Sequence, residues 1–115
     1  MKLSEKQQIF AELASRLMQY MTSEGYGYTF GDAYRDPRVH GAYGEKKSYS
    51  HSRSTHKLRL AIDLNLFKDG VYLTSTEAHR HFGAWWKAQH PLARWGGDFD
   101  GGDGNHYSFE HDGVA

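Results

Sequence analysis

Ile9, Phe10, Leu13, Ala14, Leu17, Met18 and Met21 recur at the three-to-four spacing of one helical face. Ser4 followed by Gln7 fits a capping box opening this helix, and Glu24-Gly25 closes it. Tyr26, Tyr28 and Phe30 then alternate, which predicts a short strand reaching Gly31 and Asp32. Leu58, Leu60, Ile62, Leu64 and Leu66 alternate with Arg59, Ala61, Asp63, Asn65 and Phe67. That period of two predicts a strand with a Leu/Ile core face. Asp69-Gly70 is a hairpin-turn dipeptide leading into Val71-Tyr72-Leu73. Thr74 with Glu77 can cap a second helix, running through Phe82, Trp85 and Trp86 to about Ala88. Pro91 forbids much extension beyond it.

Two stretches lack a pattern. Residues 36–55 are polar, with Asp36-Pro37, Gly41, Gly44 and many Ser, and read as a long loop of the kind that carries function. Arg94 to Ala115 is Gly-rich, with aromatics and little periodicity. There are no repeats and no linker. The expected fold class is α+β, a small antiparallel sheet with packed helices, as a single domain over residues 1–115.

Composition narrows the chemistry. Fourteen basic residues balance fourteen acidic ones, so there is no electrostatic footprint for nucleic acid. With no Cys, disulfides, thiolate catalysis and Cys-type zinc sites are excluded. Apolar runs fall far short of a membrane span, and Met1 to Phe10 lacks a signal-peptide core. The expectation is a soluble protein that accumulates in the cytoplasm. Neither a Gly-x-Ser-x-Gly elbow nor a P-loop is present.

Eight His remain, several near acids. The sharpest set is Ser54-Thr55-His56 followed by Ala61-Ile62-Asp63. Imidazole nitrogen and carboxylate oxygen are good zinc donors. On the strand reading Asp63 points away from the Leu face, and His56, just before the strand, can fold back toward it. Spacing alone leaves open the plainer arrangement of an exposed strand Asp and a surface His. The second set is Asp103-Gly104-Asn105-His106 in the Gly-rich tail. His106 can be a third ligand and Asp103 a proton acceptor, since three protein ligands plus water is the catalytic zinc pattern. The plainer alternative is a surface loop. Asp98, Asp100, Asp103 and Asn105 invite a calcium loop, but counting from Asp98 puts Gly102 at position 5 and Phe109 at position 12, which breaks the EF-hand pattern. Arg35 can grip a carboxylate or stabilise developing negative charge, or be an ordinary surface Arg. His79 and His81 do not share a helix face. His111, beside Glu110, rivals His106. Trp85 and Trp86 read as packing residues.

Ser54-x-His56-x-x-x-x-Ala61-x-Asp63 resembles the Ser-x-His-x-x-x-x-Ala-x-Asp motif of the D-alanyl-D-alanine carboxypeptidase family of zinc peptidases, which includes the phage L-alanyl-D-glutamate peptidases used as endolysins. Segments similar to the small phage members are Gly31–Arg35, Ala61–Phe67, Arg94–Phe99 and Asp103–His106. The resemblance implies His56, Asp63 and His106 as Zn²⁺ ligands and Asp103 as general base. It implies Arg35 as the residue that polarises the scissile carbonyl and contacts substrate. Ser54 takes a structural or substrate-contact role. It also implies a fold shared with the hedgehog signalling domain. One departure stands out: many relatives read His-Phe-Glu at the third ligand, whereas His106 is followed by Tyr107-Ser108-Phe109-Glu110.

The implied function is hydrolysis of the peptide stem of bacterial peptidoglycan at the L-alanyl-D-glutamate bond, by a phage or prophage endolysin. The alternatives are a D-alanyl-D-alanine carboxypeptidase and a noncatalytic wall-binding module of the same fold. The expected partner is the stem peptide, not nucleic acid, with no stable membrane insertion. The expected state is a monomer, released to the wall or periplasm of the host bacterium by a holin-like pore.

Overall fold

A computed structural model describes residues 1–32 and 54–115. Helix α1, Leu3–Ser23, buries Phe10, Leu13, Ala14, Leu17 and Met21, the face the periodicity predicts. It starts without the predicted capping box. Lys2 is the N-cap and contributes no side-chain bond, so Ser4 lies inside the first turn. Strand β1, Gly27–Phe30, follows.

The predicted strand from Leu58 is shorter at its start. Thr55–Leu58 form a 3₁₀ turn, ended by Arg59 in the left-handed region at φ 56°. Strand β2 is Ala61–Lys68. Leu60, Ile62, Leu64 and Leu66 are buried, so the alternating core face is as expected. Asp69 (φ 51°) and Gly70 (φ 79°) form the predicted tight turn into strand β3, Val71–Leu73. Positive φ at both central residues is the hairpin geometry that matches strand twist.

Helix α2, Arg80–Gln89, is preceded by a 3₁₀ turn, Glu77–His79. The Thr74/Glu77 box is not formed; the Ala78 N–H instead donates to Ser75 Oγ at 3.2 Å. The tail read as unpatterned contains two strands, β4 (Ala93–Trp95) and β5 (His106–Phe109), joined through a 3₁₀ turn at Gly96–Asp98. Every residue of β5 is buried, so no alternation was there to see.

The fold is α+β: two helices and one antiparallel sheet among the described residues. The sheet order is β1-β2-β5-β4, with β3 also on β2. Both helices supply core, Phe10 and Leu17 from α1 and Phe82 and Trp86 from α2, against β2, β4 and β5. Trp86 Nε1 donates to the Arg94 and Ser108 carbonyls at 2.9 and 3.1 Å, tying α2 to β4 and β5. No helix among the described residues is long and apolar enough to cross a membrane.

Candidate metal centre

Alternation along β2 sends Asp63 to the face opposite its Leu neighbours. The register then sets Asp63 directly across from His106 on β5. The backbone of Asp63 bonds the other way: its N–H donates to the Asp32 carbonyl at 2.7 Å and its carbonyl accepts from Gly31 at 2.8 Å. Asp63 and His106 are therefore a non-hydrogen-bonded pair, the kind whose side chains come closest.

His56 arrives from the 3₁₀ turn before β2. Ser54 is its N-cap, accepting from the His56 N–H at 3.3 Å, and Leu60 N–H closes the turn on the Thr55 carbonyl at 2.9 Å. A capped turn and a left-handed Arg59 thus hold His56 over the start of β2, where an extended strand from Leu58 would have carried it away.

The three side chains converge. His56 Nε2 and His106 Nδ1 each lie 3.3 Å from Asp63 Oδ1. One ligand atom from each residue falls within 4.8 Å of the others. His56 is 1% exposed and His106 6%, and Asp63 is nearly as deep. Burial raises the Asp63 carboxyl pKa, but hydrogen bonding and charge from His106 and His56 outweigh it, holding the pKa down to about 2. The group therefore presents a carboxylate.

The donor set fits a metal ion. His56 Nδ1 and His106 Nε2 are buried without a hydrogen-bond partner among the described residues, and Asp63 Oδ1 meets only the two imidazoles, each at 3.3 Å. Each such orphan costs about 1–3 kcal/mol, and buried charges are normally paired or bound to metal. A cation held by one atom from each of the three residues would give this buried group a partner. The buried His-Asp-His group can hold a metal ion. Two imidazoles and one carboxylate are a donor set that suits zinc.

Asp103 sits where the tail turns. Its N–H donates to the Gly96 carbonyl at 2.9 Å and its carbonyl accepts from His106 N–H at 3.1 Å. A Cβ on Gly96 would lie 2.1 Å from the Asp103 carbonyl oxygen and 2.7 Å from His106 Cβ, so only glycine allows this approach. Trp95 Nε1 donates to the Gly104 carbonyl at 2.7 Å and fixes the far end of the loop. Asp103 is exposed and lines, with Ser54, His56 and His106, an open cleft of about 780 Å³. Phe99 packs on the His106 ring, centroids 5.3 Å apart.

The structure thus brings together His56, Asp63 and His106, with Ser54 and Asp103 beside them. Arg35 lies outside the described residues, as does the predicted long loop up to residue 53. His111 is not in the group: its Nδ1 lies 3.0 Å from Lys6 Nζ. Glu110 pairs with Arg94 at 3.1 Å. The displaced Glu of the sequence motif is therefore engaged away from the centre. Gly113, Val114 and Ala115 also line the cleft. Sequence reading passed over them, although Asp112-Gly113 repeats the dipeptide that announced the Asp69-Gly70 turn.

Compared with known proteins, the sequence matches no family model and no curated protein.

Proposed function

We propose that this chain is a zinc-dependent peptidase that hydrolyses the peptide stem of bacterial peptidoglycan at the L-alanyl-D-glutamate bond, in the manner of a phage endolysin. The observation that carries the reading is the buried His56–Asp63–His106 group at an open cleft, with exposed Asp103 three residues before the third ligand. The Ser-x-His and Ala-x-Asp motif supplies the reaction class, and the convergence of its two halves with His106 supports it.

His56, Asp63 and His106 would hold the ion. Zinc, when bound, supplies a Lewis acid and lowers the pKa of water to about 7. With one carboxylate and two neutral rings as ligands, the site keeps a net positive charge and can attract a carbonyl oxygen. The Asp103 carboxylate accepts the proton of the attacking water and returns it to the leaving amine. Its place on a loop closed at Gly96 and Trp95 keeps it over the cleft, so little ordering is left for the reaction to demand. Ser54 acts by capping the turn that carries His56. Arg35 keeps the carbonyl-polarising role that the motif implies. A holin-like pore for release to the wall belongs to the same reading.

The test is mass spectrometry of purified Gram-negative peptidoglycan incubated with the protein, with and without a chelator. Chelator-sensitive release of peptides beginning at D-glutamate is the expected result. Loss of only a terminal D-alanine would move the assignment to a carboxypeptidase. No product from zinc-loaded protein on several wall types would overturn the peptidase and leave a wall-binding module.

A further inference from the structure

The cleft has a wall that the chemistry above does not use. His111 and Val114 exchange backbone hydrogen bonds of 2.8 and 3.0 Å. Between them, Asp112 (φ 51°) and Gly113 (φ 77°) both take positive φ, the geometry of a type I′ turn, whose two-residue loop is stiff. The end of this hairpin is fastened to the metal centre itself: Thr55 Oγ1 donates to the Ala115 carbonyl at 3.0 Å, and Thr55, fully buried, precedes His56. Val114 and Ala115 are half-buried and line the cleft.

Apolar Phe99, Val114 and Ala115 therefore line the cleft beside the ligand set, together with the acidic Asp100 and Asp103. Phe99 stands at the His106 end, packed on that ring, with its N–H bonded to the Gly96 carbonyl at 3.0 Å. Val114 lines the same cleft and precedes Ala115, which Thr55 holds next to His56 in the chain. Neither contributes a polar atom to chemistry, and both sit on backbone that hydrogen bonds hold in place. A short β-branched side chain on a stiff turn offers a shallow apolar surface, suited to a methyl or similarly small group and not to a long or charged one.

We infer that the hairpin at residues 111–115 is a specificity wall, on which Val114 seats the small aliphatic side chain of the peptide residue next to the scissile bond. This rests on the zinc-peptidase reading and deepens it: the occupant is an alanyl residue of a short peptide. Val114 is a positioning residue, since it would touch the substrate away from the reacting atoms.

The experiment uses the full zinc-loaded chain and the tripeptide L-alanyl-γ-D-glutamyl-diaminopimelate. Binding is measured by calorimetry on the Asp103→Asn protein, to stop turnover, and kinetics on the parent. Val114→Asp is expected to weaken peptide binding at least tenfold and raise KM by the same factor, with kcat within threefold and zinc affinity within twofold. Val114→Ile should restore binding to within threefold. Val114→Thr, nearly isosteric and unable to unfold a half-exposed turn, should weaken it several-fold, so the outcome does not depend on the Asp variant folding. Peptide binding unchanged by both Asp and Thr, in a protein that still cleaves the tripeptide, overturns the wall and leaves the peptidase standing. A parent that neither binds nor cleaves the tripeptide overturns the peptidase reading and the wall with it.

Discussion

Strand β5 carries two buried polar groups on adjacent residues. His106 turns to Asp63 and His56, and Tyr107 turns to His79. The second group is closed: His79 Nδ1 and the Tyr107 hydroxyl lie 2.8 Å apart, and both residues are buried. Burial pushes the His79 pKa down from 6.5 to about 4 and the Tyr107 hydroxyl up, so each stays neutral. The first group is open: it keeps an ionised Asp63 and leaves ring nitrogens of His56 and His106 unpartnered among the described residues, beside a cleft. A buried His alone therefore says little. What separates a structural His from a ligand is whether its neighbours finish its hydrogen bonding or share its need for a cation.

The largest effect that separates the two groups is metal loading. Zinc at a thousand times its Kd should stabilise the protein by about 4 kcal/mol against denaturant. Asp63→Ala should remove that gain and weaken zinc binding by more than about 100-fold, beyond what losing an outer partner costs. His79→Gln should leave the zinc response intact. Equal zinc stabilisation of wild-type and Asp63→Ala protein would break the comparison.

Next comes Gly96→Ala. Its Cβ would press on the Asp103 carbonyl and on His106 Cβ, and overpacking against backbone costs about 3 kcal/mol. Because the pressure falls on the open group, zinc affinity should drop as well, readable by competition with a chromophoric chelator. A variant as stable as wild-type, with unchanged affinity, would show that the loop has another resting place.

The closed group answers to protons. His79 is neutral in the fold, while in the unfolded chain it protonates with its ordinary pKa of 6.5. Between about pH 6.5 and 4 the unfolded state binds more protons, so stability falls as pH falls through that window and is fully present above it. At pH 5 the loss from this residue is about 2 kcal/mol relative to pH 8. Denaturant midpoints of wild-type and His79→Gln protein should converge as pH falls from 8 to 5. Parallel curves would assign the pH dependence elsewhere.

The smallest effect lies outside both groups. Glu110→Ala breaks a half-exposed pair with Arg94, worth about 0.2–1 kcal/mol. Zinc affinity should not change. A fall in affinity would couple Glu110 to the centre despite its distance from it.

How much of this was legible follows the same physics. Alternation on β2 exposed the core face and singled out Asp63 because one side of that stretch is apolar and the other is not. On β5 both sides are buried, so His106, Tyr107, Ser108 and Phe109 show no period and the strand is not predicted; donor chemistry and the motif resemblance both singled out His106, but neither placed it on a strand. The His56 turn was hidden because Leu58 keeps step with the Leu face, while Ser54 and Arg59 bend the chain locally. Ser4 looked like a cap, yet helix α1 begins one residue earlier, at Leu3. The hairpin at Asp112-Gly113 lacked flanking apolar alternation, and a turn dipeptide without that company is easily passed over.

The strand order has a consequence for when the three donor residues can come together during synthesis. Strand β5 is inserted between β2 and β4, both of which precede it in the chain. A growing chain that has released His56 and Asp63 holds two donors and no third until His106 emerges and slots between strands already made. That moment is the closure of a long-range antiparallel pair, which is the slow class of contact. The ribosome must therefore make His106 before the His56–Asp63–His106 group can assemble. A product truncated short of β5 would keep two of the donors and lack the strand that carries the third.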